Sequence, residues 1–321
     1  MRELSVSKND AGQRLDRFLS KAVPLLPESL LQKYIRTKRV KIDGRAGKRD
    51  TRLVEGSVIA LYINDEFFDL PDEANAYLRV GTPKLDIVYE DENILLVSKA
   101  PGILCHPAAG EPAQNTLIAH IQAHIYQKRE WRPRDENSFA PALCNRIDRN
   151  TGGIVIAAKT AETLRIINEK IRLREIDKYY LCAVHGNPSP PSGTLEGYIW
   201  KDAKNNRVYV RNSPEPGARF AATRYRTIAL SNDLTLLECE LLTGRTHQIR
   251  AQLADAGHPL LGDGKYGSEA LNRRFNERYQ ALWSYKLVFA FDSDAEALEY
   301  LRDRSFTLTG VPFVEKYFKW D

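Results

Sequence analysis

The chain has 321 residues, a formal net charge of +5 and a pI of about 8.9. This length allows two domains, and the mildly basic balance is compatible with a polyanionic partner. The four cysteines lie far apart without a Cys-x-x-Cys pair, which argues against a disulfide framework and a zinc site. The sequence has no long apolar run and no signal-peptide pattern, so we expect a cytoplasmic protein with no membrane partner.

The first predicted domain, residues 12–63, concentrates positive charge. Apolar spacing and turn residues predict two helices and a hairpin, over residues 14–22, 29–37 and 39–63. Between Lys33 and Arg52 there are nine basic residues and two acidic ones. We expect this basic strip to bind phosphates, although a solvated surface is the simpler alternative. The candidate phosphate-binding cations of the strip are Lys38, Arg39 and Lys41.

The rest of the chain divides into a linker and a large domain. Residues 64–82 are acidic and without periodicity, which predicts a linker. The large domain, residues 83–321, opens with a hairpin signal and later carries four successive predicted strands between residues 194 and 242. This succession favours an α+β fold with a mixed, largely antiparallel sheet. A basic loop around Trp131 is expected at the surface, with nucleotide stacking as the alternative.

A loop in the large domain places a carboxylate before a buried strand. Asp148 stands between Arg146 and Arg149, and the pair Gly152-Gly153 leads into an apolar run. The two arginines are expected to keep Asp148 ionised, as a nucleophile requires, and to meet phosphates. The glycines would let a bulky polyanion approach the backbone. A structural ion pair in a surface loop explains the same residues equally well.

Two later segments add candidate site residues. Tyr180 begins a predicted strand, where a tyrosine most often only packs in the core. Three cations follow another strand, close to the start of a short helix, which is a natural place for anions: Arg245, His247 and Arg250. The run Gly262-Asp-Gly-Lys-Tyr-Gly fits a dinucleotide-binding pattern by letters, but it lacks a βαβ unit and is predicted to be a turn.

These segments resemble the motifs of the RluA family of pseudouridine synthases. The resemblance rests on Arg146-Ile-Asp-Arg-Asn-Thr-Gly-Gly, on Lys178-Tyr-Tyr-Leu and on Thr243-Gly-Arg-Thr-His-Gln-Ile-Arg. It implies that Asp148 is the nucleophile, that Tyr180 belongs to the catalytic pocket and that Arg245 pairs with the aspartate. Leu241 or Leu242 is implied to line the base pocket. The chain departs from the usual family pattern at Asn145 and at Thr151-Gly152-Gly153.

The N-terminal segment resembles the S-four type RNA-binding module that often precedes this family's catalytic domain. Together the resemblances imply a pseudouridine synthase fold and the isomerisation of uridine in a structured RNA, with rRNA favoured over tRNA. The RNA or base contacts would come from Arg146, Arg149, His247 and Arg250, and from Lys38, Arg39 and Lys41. An isomerisation needs no cofactor and no metal, and we expect a monomer.

Two other functions remain open from the sequence. A nucleosidase or base-excising glycosylase would also place a carboxylate near a sugar carbon, but it usually needs a water molecule and a second carboxylate, for which Asp263 is the one candidate in the matched motifs. A non-catalytic RNA-binding or ribosome-assembly protein could keep the fold without the reaction. The presence of Asp148, Tyr180 and Arg245 together favours the enzyme.

Overall fold

The computed structural model describes residues 1–68 and 72–318. The N-terminal module is a four-stranded antiparallel sheet, in the order β1-β4-β2-β3, with two helices. Its elements are β1 (Arg2–Ser5), α1 (Leu15–Ala22), α2 (Glu28–Arg36), β2 (Val40–Ile42), β3 (Arg45–Ala46) and β4 (Val58–Leu61). The predicted start at residue 12 was too late, because β1 pairs with β4 along its whole length.

Apolar side chains at helical spacing form the core of this module. Leu15, Phe18 and Leu19 of α1 are buried, and they pack with Leu31 and Ile35 of α2 against the sheet. Burying a side chain of this size contributes about 1.5–3 kcal/mol. The module therefore has a hydrophobic core of its own, as the predicted helix pair and hairpin require.

The segment predicted as a linker is partly integrated into the large domain. It contains two 3-10 helices, Asp65–Phe68 and Asp72–Arg79. Ala76 and Tyr77 are buried in the core of the large domain, and the Tyr77 ring lies 4.9 Å from that of Trp131. The basic residues of the loop around Trp131 are exposed, as predicted, but Trp131 itself is only 7 % exposed and packs into the core.

The large domain is built on one 11-stranded sheet, with the order β11-β10-β12-β13-β9-β14-β8-β6-β5 and with β7 and β15 attached at its sides. Only the pair β14 and β8 is parallel among the described strand pairs, which confirms the mixed, largely antiparallel α+β fold. The strands are β5 (Ile87–Glu90), β6 (Ile94–Lys99), β7 (Ala142–Leu143), β8 (Gly152–Ala158), β9 (Asp177–His185), β10 (Ser192–Asp202), β11 (Arg207–Arg211), β12 (Arg219–Ser231), β13 (Leu234–Leu241), β14 (Leu282–Val288) and β15 (Ser305–Thr307).

Helices cover both faces of this sheet. They are α3 (Leu117–Gln127), α4 (Ala161–Leu173), α5 (Gln248–Asp255), α6 (Glu269–Arg273) and α7 (Pro312–Tyr317). Side chains alternate along β9, so Tyr180 and Cys182 share a core with α3 and α5, while Leu181 packs with α7 on the opposite face. The hydroxyl of Thr160 accepts a hydrogen bond from Thr163 N and caps α4, as the sequence predicts.

The N-terminal module contacts the large domain through polar groups. Asp10 is fully buried and accepts hydrogen bonds from Asn137 and Ser138. Asn9 accepts a hydrogen bond from Ala161 N, at the start of α4. These contacts lie beyond the carboxyl end of β8, whereas Asp148 precedes its amino end. No helix among residues 1–68 and 72–318 is both long enough and apolar enough to cross a bilayer.

Candidate active site

A buried lysine and an asparagine hold the loop that carries Asp148. Lys99 is 1 % exposed, and its Nζ donates to Arg149 O at 2.9 Å. Asn145 Oδ1 accepts from Ile156 N at 2.8 Å, which ties the start of the loop to β8. Burial lowers the pKa of Lys99 to about 8. The loop is thus fixed at the mouth of a buried strand, as the sequence predicts for Asp148.

The two glycines after this loop serve packing and not substrate access. A Cβ on Gly152 would lie 2.3 Å from the Trp283 ring, and one on Gly153 would lie 2.2 Å from Ser284 O. Gly153 also has φ of +112°, a conformation that other residues rarely adopt. The expectation that the glycines admit a polyanion was therefore wrong, because strand β14 fills the space beside them.

Asp148 is held by Arg250, which bridges it to a second, buried aspartate. Arg250 Nη1 donates to Asp148 Oδ2 at 2.7 Å, and Arg250 Nε and Nη2 donate to the two carboxylate oxygens of Asp263 at 2.7 and 3.0 Å. Burial opposes ionisation of Asp263, but the hydrogen bonds from Arg250 outweigh it and keep the pKa of Asp263 below its ordinary value. The guanidinium is thereby fixed with one edge directed at Asp148.

The predicted pairing of Arg245 with Asp148 is wrong. Arg245 precedes α5 and its Nε donates to the backbone carbonyl of Phe220 at 3.0 Å. Arg250 lies on the first turn of α5 and is the residue whose side chain reaches the carboxylate. The neighbours of Asp148 in sequence do not pair with it either, because Arg149 binds Glu111 and Gly102 O. Arg146 and Arg245 remain on the wall of the cleft.

His247 stands beside the carboxylate as a neutral ring. Its Nε2 lies 3.8 Å from Asp148 Oδ2, and burial lowers the pKa of His247 to about 4. Tyr266 Oη accepts from Val208 N at 2.9 Å and lies 2.8 Å from His247 Nδ1. We assign the hydroxyl proton of Tyr266 to this contact, so that Nε2 carries the ring proton and directs it towards the carboxylate. His247 immediately precedes α5, and its backbone is in the left-handed region, with φ of +51°.

Tyr180 forms part of the same cleft from the sheet side. It is 6 % exposed and lies opposite Cys239 on β13 and Ser284 on β14. Burial raises the pKa of Tyr180 to about 12, so its hydroxyl keeps the proton at neutral pH. Leu241, one of the two leucines predicted for the base pocket, also lines the cleft.

These residues surround a cleft of about 700 Å³ that is strongly cationic. Among the described residues, Asp148 is the one carboxylate on its wall. Seven lysines and arginines line it: Arg146, Arg149, Lys178, Lys201, Arg245, Arg250 and Lys265. A narrow space with this excess of positive charge attracts a polyanion. No group of His, Cys, Asp or Glu that could hold a metal occurs within the part of the chain that the structure describes.

A second recess, of about 420 Å³, lies on the opposite face of the sheet. Its wall includes Arg224 and Arg226, but Glu240 and Glu238 pair with them. The chemistry of the chain therefore points to the cleft around Asp148 and away from this recess.

The three basic residues predicted in the N-terminal module do not line the cleft. Lys38 and Arg39 are exposed after α2, and Lys41 is half-buried. The Arg39 guanidinium lies over the Tyr34 ring, and the Lys41 ammonium lies over the Tyr62 ring. Any contact that they make with RNA is separate from the contacts within the cleft.

Three residues that shape the site were not predicted to do so from the sequence: Lys99, Asp263 and Tyr266. Lys99 ends an apolar strand, and Asp263 and Tyr266 lie in the glycine-rich segment that was predicted as a turn and that also resembles a family motif. A lysine at the end of a strongly apolar strand, or an aspartate between two glycines, is the signal that could have marked the first two as buried charges. That segment is a turn, as predicted, with the Asp263 side chain directed inwards.

Comparison with known proteins identifies the family. Residues 93–255 match the family model described as RNA pseudouridylate synthase. An uncharacterized RNA pseudouridine synthase of Mycoplasma genitalium is 33% identical over 289 residues, covering 88% of each chain. Ribosomal large subunit pseudouridine synthase D of Escherichia coli K12 is 32% identical over 264 residues, covering 82% of this chain and 75% of its own.

A solved structure shares the fold. Human RNA pseudouridylate synthase domain containing 4 aligns with a TM-score of 0.54 at 19% identity, covering 75% of this chain and 92% of its own. The match to the family model includes both the Asp148 loop and the segment that carries Arg250. This chain belongs to the RluA family and is an RNA pseudouridine synthase, an isomerase that acts on RNA.

Proposed function

We propose that the enzyme isomerises uridine in large-subunit ribosomal RNA and that Asp148 is its nucleophile. The observation that carries this proposal is that Asp148, the one carboxylate among the described residues of the cleft wall, is held by Arg250 and surrounded by cations. The relative in Escherichia coli that is named a ribosomal large subunit synthase supports rRNA over tRNA. We further propose that the enzyme is a monomer and that it acts in the cytoplasm.

The reaction must exchange one bond to the sugar for another. The bond between N1 of uracil and C1′ of ribose breaks, a bond between C5 and C1′ forms, C5 loses a proton and N1 gains one. An anionic nucleophile divides this exchange into two easier steps through a covalent adduct. Asp148 can serve in this way by attack on either the ribose carbon or the uracil ring. Atoms and electrons balance without a redox partner or a group donor.

The neighbours of Asp148 have distinct roles in this proposal. Arg250 donates to the Asp148 carboxylate and fixes its direction, since Asp263 holds the other edge of the guanidinium. His247 is neutral at pH 7 and offers a hydrogen bond from Nε2 to the carboxylate or to the substrate. Tyr180 keeps its proton, so its role is to pack its ring against the uracil, not to act as a base.

The target uridine has to leave its stack before it can reach Asp148. Extruding a base costs a few kcal/mol, which pocket contacts offset. Arg146 has no ion-pair partner among the described residues and lines the cleft, so it is placed to occupy the vacated position. Arg149 and Arg245 contact phosphates at the rim, and Lys38, Arg39 and Lys41 of the N-terminal module dock more distant parts of the RNA.

The rival functions fit the cleft less well. A nucleosidase would use a second carboxylate to activate water, and the described cleft wall has none besides Asp148. Asp263 is fully buried behind Arg250 and cannot reach a water in the cleft. Release of free uracil from RNA would nevertheless favour the nucleosidase. A non-catalytic protein would leave the pseudouridine content of RNA unchanged.

Mapping pseudouridines in RNA from cells with and without the protein tests the target class. We expect at least one uridine of large-subunit rRNA to lose its modification without the protein. The parent gene should restore this site, and a gene encoding Asp148→Asn should not. Loss confined to tRNA would overturn the rRNA assignment while leaving the reaction intact.

A further inference from the structure

An aromatic surface lies on β10, β11 and the start of β12, on the face of the sheet opposite the cleft. Trp200 lies across from Tyr209, with ring centroids 6.1 Å apart, and Tyr198 lies across from Phe220, at 5.8 Å. Tyr209 is 37% exposed and Phe220 is 41% exposed. We call these four residues the aromatic face. Four rings on one side of a sheet edge form a platform on which flat groups can stack.

Alternation along the strands defines which side this platform occupies. Val208 on β11 and Ile199 on β10 share a core cluster with Ala251 of α5, the helix that carries Arg250. Tyr209 is the sequence neighbour of Val208, so its ring projects from the other side of the sheet. Strand β11 is the edge of the 11-stranded sheet. The cleft and the aromatic face therefore lie on opposite faces of the sheet, and β11 is the edge strand between them.

Arg207 connects the two sides. Its guanidinium lies 5.1 Å from the centre of the Tyr266 ring and 5.9 Å from that of Tyr209. Tyr266 in turn contacts His247 in the cleft. Arg207 Nε is buried without a hydrogen-bond partner, and no carboxylate pairs with this side chain in the described parts of the chain. The guanidinium therefore lies against two aromatic rings, and its donors can bind a phosphate.

Charge along the hairpin favours a nucleic acid over a protein as the occupant. Residues 198–211 contain four basic residues and one acidic residue. Lys201 and Asn206 of this hairpin, together with Lys265, already line the cleft. The positive surface is thus continuous from the cleft to the edge. Asp202 accepts hydrogen bonds from Lys204 N and Asn205 N, which preforms the turn.

We propose that an RNA strand leaving the cleft crosses β11 at Arg207 and continues as a single strand on the aromatic face. Arg207 binds a phosphate at the crossing, and bases stack on Tyr209 and Trp200. This path rests on the proposed function, since it extends the RNA that the cleft holds. Stacking on aromatic rings tolerates any base, so the path adds affinity and direction without adding sequence specificity.

Binding of a fluorescein-labelled 16-nucleotide oligouridine tests the path in the full-length protein. We expect Tyr209→Ala to weaken binding by about tenfold, and Tyr209→Phe to bind like the parent because it keeps the ring. Arg207→Gln should lower the log-log salt slope by about 0.7, the value for one lost phosphate contact. Two matched controls should bind like the parent: Tyr126→Ala, a tyrosine exposed to 40 %, and Lys286→Gln, a half-buried lysine over Tyr179.

Photo-crosslinking with 4-thiouridine in the same oligonucleotide gives an independent readout. The path predicts crosslinks within residues 198–211. Parent-like binding by both Tyr209→Ala and Arg207→Gln, or crosslinks confined to the cleft, would overturn it. Isomerase activity is measured in the same variants: parent-like activity with unchanged binding refutes only the path, whereas absence of activity in the parent protein on any RNA refutes the proposed function.

Discussion

Arg250 and Arg245 are five residues apart, yet only Arg250 lies between two carboxylates. In Arg250→Gln, Asp263 would remain buried without its cation. We expect the free energy of unfolding to fall by about 3–5 kcal/mol, the usual cost of breaking a buried ion pair. Arg245→Gln loses one hydrogen bond to a backbone carbonyl and should cost less than about 1.5 kcal/mol. Urea denaturation of both variants measures the difference, and equal losses would contradict the assigned pairing.

His247 gives the site a defined pH dependence of stability. Its pKa of about 4 lies below the ordinary value of 6.5, so between these pH values the unfolded chain binds more protons than the folded one. The contribution of His247 to the free energy of unfolding therefore falls as the pH drops from 6.5 towards 4, and it is constant above 6.5. His247→Gln cannot titrate and removes this contribution.

Urea denaturation of the parent and of His247→Gln at pH 5 and pH 7.5 tests this sign. We expect the stability of the variant relative to the parent to improve at pH 5. A relative stability that is the same at both pH values would mean that the folded His247 titrates like the unfolded one. The measurement would then contradict a neutral His247 held by burial.

The sequence predicted which residues line the site better than it predicted which of them pair with each other. Asp148, Tyr180, His247 and Arg250 lie together around one cleft, as their motifs imply. The pairing of Asp148 could not be predicted, because spacing along the chain does not reveal which cation of a strand-to-helix connection faces the carboxylate. Buried charges such as Asp263 also escape pattern reasoning, since hydrophobic periodicity records only apolar residues.

At the scale of elements, the junction of β8 and β14 fixes the loop that carries Asp148. Gly153→Ala would force a side chain into a positive φ and against Ser284 O. We expect it to lower the free energy of unfolding by at least about 2 kcal/mol. Gly81→Ala is the control, because Gly81 has no positive φ and a Cβ added there meets no atom within 4 Å. A loss in Gly153→Ala no larger than in Gly81→Ala would contradict the tight junction.

Elements with a regular period were predicted closely, and the others were not. The strands of residues 192–241 and the capped helix α4 follow from alternation and from Thr160. The short strand β1 has mixed polarity, so no local pattern predicts it. It forms by pairing with β4, which lies more than 50 residues away. Trp131 is buried because Tyr77 covers it, and no local pattern contains that contact.

At the scale of the whole molecule, the N-terminal module is attached far from the chemistry. Its contacts with Asn137 and Ala161 lie beyond one end of β8, and Asp148 lies beyond the other. A seven-residue strand spans roughly 20 Å, so an RNA that reaches both must be longer than that. The basic strip should thus affect RNA affinity and leave the chemical step unchanged.

Replacement of three cations by Gln, at Lys38, Arg39 and Lys41, tests whether the basic strip contributes to RNA affinity and not to the chemical step. Each lost phosphate contact removes about 0.7 to 0.9 from the log-log salt slope, so the slope for full-length target RNA should fall by about 2 to 3. The rate at saturating RNA should stay the same. The control is a second triple variant with the same change in charge, in which three arginines at exposed helical positions become Gln: Arg165, Arg172 and Arg273. If both triple variants keep the parental slope, the strip is an ordinary solvated surface.

The most direct test of the account is turnover by purified Asp148→Asn. The amide keeps the shape of the side chain but cannot act as an anionic nucleophile, and Arg250 and His247 remain to position it. Pseudouridine formation is followed in RNA purified from cells that lack the protein, with circular dichroism and RNA affinity as controls for folding and binding. We predict a folded protein that binds RNA like the parent and forms no pseudouridine. Measurable turnover by the folded variant would contradict the assignment of Asp148 as the nucleophile.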